Sequence, residues 1–288
     1  MKIHPNKLRS IHRKLELLYE EFSVEEHLCR DPLGALDRGL DPADLEILSF
    51  LIAGLSYGRV EQIYRSFENL QISLKALGCA ANGAGVSGLL IETPTPELRK
   101  NSSKAFRGWK HRLNTSNDIV DLLQILSLAL KENGSLSNLF TLASSRTFQE
   151  SLELFSSSLS QLGNSSGIKS REKKGTGPWK GTGPQWFFAS PQDGSTCKRM
   201  LMWMRWMLRK DEIDLGLWDL PQYRKQLLWP VDTHIQKWAL TEGLTDRKSV
   251  SWKFCLELSA AAQRINPDDP IKYDFSICQA GMAAFRKR

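Results

Sequence analysis

The sequence has no apolar run long enough to cross a membrane and no closely spaced pair of cysteines. A spanning helix needs about 18 or more consecutive, mostly apolar residues, and no window of the chain approaches that length. The N-terminus carries charges but lacks the apolar stretch of a signal peptide. The cysteines form no Cys-x-x-Cys pair, so we predict neither a metal site nor a disulfide framework. We therefore expect a cytoplasmic protein with reduced thiols at Cys29, Cys79, Cys197, Cys255 and Cys278.

Sustained alternation of apolar and polar residues, the pattern of a half-buried strand, is also missing. Apolar residues instead recur at helical spacing, from the first segment at 4–22 to the last at 273–285. Residues 78–96, rich in Gly, Ala and Thr-Pro, are predicted as a loop. The pattern therefore predicts an all-α protein. Its 288 residues suffice for one large domain or two interleaved subdomains.

Among these helices, 42–55 is predicted to be central and buried. Asp41-Pro42 is a strong helix start, because Asp is a good N-cap and Pro suits the first helical turn. The segment is apolar almost throughout, and Ala53 and Gly54 permit close approach of a neighbour.

Basic residues outnumber acidic ones, 39 to 32, which favours a polyanionic partner. They concentrate in places such as Phe106-Arg-Gly-Trp-Lys-His-Arg112. Arg107, Lys110 and Arg112 are candidates to bind DNA phosphates, with the aromatic side chains available to stack on bases. The equal alternative is that the charges are solvated and that Phe106 and Trp109 pack inward.

Residues 163–184 are rich in Ser, Gly, Lys and Pro and contain Gly-Thr-Gly-Pro twice. This composition predicts a flexible basic insertion, either near a DNA-binding face or as an inert linker. The apolar pattern then resumes in a predicted short helix at 186–189 and in the helix 200–208, which should have one core face and one basic face carrying Arg205 and Arg209.

Two residues in 187–240 are candidates for chemistry. Gly194 can adopt the positive φ of a tight turn, and Ser195 is a good N-cap for the helix at 200–208. Lys198 would then lie in the first turn, where the positive end of the helix should lower its pKa and make its amine a nucleophile. Asp232 is predicted to cap the helix 233–240 and to stay ionised there. The alternative is that Lys198 only contacts phosphate and Asp232 only caps a helix.

The segment 187–240 resembles the helix-hairpin-helix and Gly/Pro...Asp core of the base-excision DNA glycosylases. The long gap between Lys198 and Asp232 is most similar to the archaeal type of 8-oxoguanine DNA glycosylase. The whole chain resembles the DUF2400 family, a bacterial family related to those enzymes. The segments that carry this resemblance are 41–47 with 57–60, 106–112, 195–199 with 205–207, 230–234 and 269–275.

The resemblance implies a single glycosylase-like domain over 1–288, built from two interleaved helical subdomains with a cleft between them and with its helix-hairpin-helix core at 185–240. Lys198 would attack the sugar of a damaged nucleotide and Asp232 would assist it. The implied DNA-contacting residues are Gly194, Ser195, Thr196, Arg199 and His234.

The implied reaction is excision of an oxidised purine such as 8-oxoguanine, with AP lyase activity and without a cofactor. The expected partner is damaged duplex or single-stranded DNA, bound by a nucleoid-associated monomer. Some relatives carry an iron-sulfur cluster on four cysteines near the C-terminus, but only Cys255 and Cys278 lie there, so no cluster is expected. A non-catalytic helix-hairpin-helix protein that binds nucleic acid is the alternative, and a protein-interaction scaffold is a second.

Overall fold

Helices dominate the fold, as the apolar spacing predicts. The computed structural model describes residues 3–22, 25–142, 147–168 and 183–286. In chain order the α-helices are α1 Pro5–Phe22, α2 Pro42–Leu55, α3 Val60–Lys75, α4 Val86–Glu92, α5 Thr95–Ala105, α6 Ser116–Asn133, α7 Leu136–Thr141, α8 Phe148–Ser165, α9 Lys198–Leu208, α10 Pro221–Arg224, α11 Thr233–Thr241, α12 Trp252–Ile265 and α13 Asp274–Arg286. Short 3-10 helices occupy Glu25–Arg30, Pro32–Ala35, Pro184–Trp186 and Pro191–Asp193.

The chain divides into two compact units. One unit comprises Pro32–Ser190 and contains α2 to α8. The other combines Met1–Asp31 with Pro191–Arg288 and contains α1 and α9 to α13. The chain therefore begins in the unit that contains α1, passes through all of Pro32–Ser190, and then returns to the unit in which it began.

Helix α2 is the buried centre of its unit, as predicted. Asp41 accepts a hydrogen bond from the backbone N–H of Ala43 and caps the helix. Two buried acids on α2 serve neighbouring helices in the same way. Asp44 accepts from the N–H groups of Gly85 and Ser87 at the start of α4. Glu46 accepts from two N–H groups in the first turn of α7. The carboxylate of Asp44 thus replaces the side-chain cap that α4 lacks, and that of Glu46 adds to the cap that Ser135 provides for α7.

Gly54 lies against the ring of Phe187, which confirms the predicted close approach on α2. A methyl group at Gly54 would overlap that ring, with Cε1 of Phe187 only 2.9 Å away. Because overpacking a dense core forces side chains or backbone to move, we expect Gly54→Ala to lower the free energy of unfolding by about 1–3 kcal/mol.

Chemical denaturation measures this effect against a matched control. Gly88, also helical, has no atom nearer to an added methyl than 3.9 Å. Gly88→Ala should therefore be neutral or stabilising by up to about 1 kcal/mol, through helix propensity alone. Equal stability of the two variants would contradict the packing assigned to Gly54.

Helix α9 differs from the prediction, because Arg205 and Arg209 do not form a basic surface. Trp203 and Trp206 are buried as expected, but Arg205 and Arg209 are only 2% and 3% exposed. Arg205 binds Asp214 at 3.0 Å, and Arg209 binds Asp214 as well. The guanidinium groups are buried because acids from later segments neutralise them, and local amphipathicity does not reveal those acids. The remaining acids around the pair are Asp211 and Asp269 beside Arg209 and Asp274 beside Arg205.

Three further local predictions need correction. The predicted loop 78–96 contains α4 and the start of α5, because Pro94 and Pro96 suit a helix N-terminus. The predicted helix at 186–189 is replaced by the short 3-10 helices on either side of it. Strands β1 Lys110–His111 and β2 Asn114–Thr115 form a small antiparallel hairpin, which is too short to show a two-residue period.

The predicted basic insertion begins within α8, where Gly163 is buried, and Ile168 beyond the end of α8 is buried as well. Residues 169–182 of the insertion lie outside the described residues, and its last residue, Pro184, begins a 3-10 helix. Within the described part of the chain, every helix is too short or too polar to cross a membrane. The five cysteines are all thiols rather than disulfides.

Candidate functional site

The turn that leads to Lys198 has two residues in the left-handed region. Gly194 has a φ of 73°, as predicted for the tight turn, and Cys197 has a φ of 52°. Ser195 is not the helix cap that the sequence suggests. Its Oγ accepts from the N–H of Cys197 at 3.0 Å, and Cys197 itself occupies the N-cap position of α9. Lys198 is therefore the first residue of α9.

Asp232 caps α11, as predicted. One carboxylate oxygen, Oδ1, accepts from the N–H of His234 at 2.8 Å and of Ile235 at 2.9 Å. These two bonds fix the orientation of the carboxylate. They do not involve its second oxygen, Oδ2. The preceding Pro230 and Val231 are buried, so the chain enters the helix from a fixed position.

Lys198 and Asp232 meet in space. The distance from Lys198 Nζ to Asp232 Oδ2 is 3.7 Å, and the two side chains are 32% and 21% exposed. Two helix N-termini thus bring together an amine and a carboxylate that are remote in sequence. Both groups keep enough exposure to reach a bound ligand.

The charge state predicted for Lys198 is wrong. Burial favours the neutral amine, but the carboxylate of Asp232, with Asp274 and Asp31, outweighs it and raises the pKa of Lys198 above its ordinary value. The positive end of α9 does not overcome these acids. Lys198 is therefore an ammonium at neutral pH, and a nucleophilic amine forms only after its proton is removed.

Cys278 and Asp274 of α13 complete the surroundings of this pair. Cys278 Sγ lies 3.6 Å from Asp232 Oδ2. Asp274 accepts from Arg205 at 2.5 Å, yet burial raises the pKa of Asp274 to about 6. Neither residue was predicted as a site residue from the sequence, although Asp274 lies in the segment 269–275 and Cys278 follows it by one helical turn.

The other predicted site residues near Lys198 differ in their exposure and contacts. Gly194 is exposed, whereas Ser195, Thr196 and Arg199 are half-buried around the start of α9. The ring of His234 packs against Gly281, where an added methyl would lie 2.6 Å from Nδ1.

His234 also lines a cavity of about 830 Å³, together with Leu15 of α1, Trp238 of α11 and Ile277 of α13. The backbone N–H of His234 donates to Asp232, and the residue also lines this largely apolar cavity.

The basic candidates Arg107, Lys110 and Arg112 belong to the other unit. All three are exposed, and the Arg112 guanidinium lies 5.6 Å from the centroid of the Tyr57 ring. Arg112 lies in the turn between β1 and β2, where its φ of 48° is in the left-handed region.

The aromatic residues between them are structural. Phe106 is fully buried and Trp109 is 7% exposed, and their rings meet edge to face. The alternative in which both pack inward is therefore confirmed, and stacking on DNA bases by these two rings is not supported.

No group of three or more His, Cys, Asp or Glu side chains within the described ranges has the arrangement of a metal site. The chemistry available at Lys198 and Asp232 is proton transfer and nucleophilic attack by an amine.

One known family matches most of the chain. Residues 31–283 match the family described as "Protein of unknown function (DUF2400)". This range includes Lys198, Asp232 and Cys278. No curated protein and no solved structure matches the chain.

Proposed function

The chain belongs to the DUF2400 family, and from the Lys198–Asp232 pair we propose that it is a base-excision DNA glycosylase with AP lyase activity. The 3.7 Å separation of Nζ and Oδ2 is the observation that carries the proposal. An amine within reach of a carboxylate, both partly exposed, suits attack on a sugar carbon. The sequence resemblance to helix-hairpin-helix glycosylases supports the choice of DNA as substrate.

Proton transfer comes first in the proposed reaction. Asp232 Oδ2 accepts a proton from the Lys198 ammonium, which produces the neutral amine. The amine attacks C1′ of a flipped nucleotide, and the electrons of the N-glycosidic bond leave with the base, which takes up a proton. The bonded nitrogen then gives a proton to O4′ as the C1′–O4′ bond breaks, and the nitrogen lone pair forms the C=N bond of a protonated Schiff base.

Strand cleavage follows from the same intermediate. The Schiff base acidifies the C2′ hydrogen, and loss of that proton expels the 3′ phosphate by β-elimination. Water then hydrolyses the imine and restores Lys198. Excision and lyase activity thus share one covalent intermediate, which borohydride reduces to a stable amine.

Asp232 has a second role in this scheme. Departure of the base develops positive charge on the sugar, and a fixed carboxylate stabilises that charge without having to reorganise. The two backbone hydrogen bonds to Oδ1 supply the fixation. Oδ2 first takes the lysine proton and passes it to the departing base, so that the carboxylate is ionised again as positive charge develops on the sugar.

An oxidised purine such as 8-oxoguanine is the proposed substrate, on the basis of the resemblance. The test is single-turnover excision on a panel of duplexes and single strands, each carrying one oxidised, alkylated or deaminated base. Excision of an oxidised purine with strand cleavage supports the proposal. Absence of excision across the panel would overturn it.

The exposed residues Arg107, Lys110 and Arg112 are proposed to bind the DNA backbone. On duplex DNA each neutralised phosphate contributes about −0.9 to the slope of log affinity against log salt. We expect the triple variant Arg107→Gln, Lys110→Gln, Arg112→Asn to make that slope less steep by about 2–3. Asn is chosen at Arg112 because it tolerates positive φ.

A matched triple variant controls for net charge. Arg65→Gln, Lys75→Gln and Lys253→Gln also remove three exposed positive charges, from α3 and α12. Fluorescence anisotropy at several salt concentrations measures both slopes. An equal change in the two variants would show that net charge, rather than this cluster, determines DNA affinity.

A non-catalytic nucleic-acid-binding protein is the second candidate, and the raised pKa of Lys198 favours it. In that case the lysine is a permanent cation that pairs with Asp232 and contacts phosphate. Such a protein would bind the panel in a salt-dependent way without excising any base. A protein-interaction scaffold would show no salt-dependent DNA binding.

A further inference from the structure

The thiol of Cys278 contacts the carboxylate oxygen that faces Lys198. Cys278 Sγ lies 3.6 Å from Asp232 Oδ2, with the thiol as donor. Oδ1 is engaged by the two backbone N–H groups of α11. The thiol therefore contacts Oδ2, the carboxylate oxygen that takes no part in those two backbone bonds.

The charges around Cys278 keep its proton in place. Burial, and then the carboxylates of Asp232 and Asp274, raise the pKa of Cys278 well above its usual range. Lys198 and Arg205 of α9 act in the opposite direction but do not compensate. A protonated thiol at neutral pH is a hydrogen-bond donor, so the contact with Asp232 is S–H to O⁻.

We propose that Cys278 is a positioning residue, whose thiol holds Asp232 Oδ2 directed at Lys198. The inference rests on the proposed function. A charge-assisted hydrogen bond from a thiol orients the oxygen that accepts it. Together, the thiol and the two α11 N–H groups fix both oxygens, which prevents rotation of the carboxylate away from the amine.

Direct evidence for the contact comes from thiol reactivity, which needs no enzymatic activity. Only the thiolate reacts appreciably with iodoacetamide. In the wild-type protein, alkylation of Cys278 should have a midpoint well above the usual pH range of a thiol, because its pKa is raised. Asp232→Asn removes the nearby negative charge, so Cys278 should react roughly 10-fold faster at pH 8.

Mass spectrometry of the alkylated peptides gives both rates in one sample, with Cys29 as the internal reference. Asp219→Asn, which removes an exposed acid, is the control and should leave the Cys278 rate unchanged. The same Cys278 rate in Asp232→Asn and wild type would overturn the contact, whether or not the protein excises DNA bases.

The functional consequence is tested on the lesion that the panel identifies. Cys278→Ala should lower single-turnover excision roughly 10-fold, since Asp232 Oδ2 loses the donor that orients it. Cys278→Ser keeps a donor and should restore most of the rate. A wild-type rate in Cys278→Ala, or a Cys278→Ser rate no higher than that of Cys278→Ala, would overturn the positioning role.

These outcomes separate the two proposals. If the wild-type protein excises no base while Cys278 responds to Asp232→Asn, the proposed function fails but the contact stands. If excision is robust, the reactivity of Cys278 is unchanged in Asp232→Asn and the excision rate is unchanged in Cys278→Ala, the proposed function stands and the role of Cys278 is rejected.

Discussion

Lys198→Gln is expected to abolish the borohydride-trapped complex with damaged DNA, while non-specific DNA affinity stays within a few-fold of wild type. Glutamine has no amine with which to form a Schiff base, so the covalent intermediate cannot arise. One charge among many contributes little to the total electrostatic affinity. The measurement is gel separation of trapped complexes alongside an equilibrium binding titration.

Lys198→Arg is the matched control for this prediction. Arginine keeps the positive charge opposite Asp232 and can still contact phosphate, but it remains protonated in proteins and does not act as the nucleophile. Both variants should therefore fail to trap, and the arginine variant should bind DNA like wild type. Trapping at the wild-type level by the glutamine variant would show that another residue attacks the sugar.

Asp232→Asn is expected to lower base excision by roughly 100-fold or more with little loss of stability. Asparagine can accept the same two N–H bonds from His234 and Ile235, so the free energy of unfolding should change by about 1 kcal/mol or less. The negative charge disappears, and with it the proton acceptor and the stabilisation of the sugar cation. Binding to damaged DNA should persist or tighten, because repulsion between carboxylate and phosphate is removed.

The pH dependence separates the two proposed roles of Asp232. The carboxylate is the main cause of the raised pKa of Lys198, so the asparagine variant should hold a neutral lysine at lower pH than wild type does. If Asp232 only accepts the proton, the rate deficit should disappear as pH rises. If it also stabilises the sugar cation, a large deficit should persist at high pH, as we expect.

Single-turnover excision and thermal melting measure these effects together. Wild-type rates in Asp232→Asn would mean that Asp232 is only a helix cap. Loss of cooperative melting would mean that its main role is structural, contrary to the expected stability.

Features set by neighbouring residues were predictable from the sequence. Asp41 and Asp232 cap their helices because a short acidic side chain reaches the N–H groups two or three residues ahead, whatever lies elsewhere in the fold. The burial of α2 follows from its nearly continuous apolar residues. The starts of α2 and α11, which matter most to the fold and the site, are therefore set locally. The start of α9 was predicted less accurately, because Cys197 rather than Ser195 is its N-cap.

Features set by remote residues were not predictable. Arg205 and Arg209 look like surface charges in the helix pattern, and only the tertiary fold brings Asp214 and Asp274 against them. The same fold raises the pKa of Lys198, which its place in the first turn of α9 alone would lower. Cys278 contacts Asp232 only because α11 and α13 pack together, and an isolated cysteine in a helix gives no sign of that contact.

Identification of the trapped residue tests the proposed lysine chemistry most directly. The wild-type protein is incubated with a lesion-containing strand under borohydride, digested, and mapped by mass spectrometry for the peptide that carries the sugar fragment. We predict an adduct on Lys198 with an oxidised purine and none with undamaged DNA. An adduct on another residue, or none with any damaged strand, would contradict the proposal that Lys198 is the nucleophile of a DNA glycosylase.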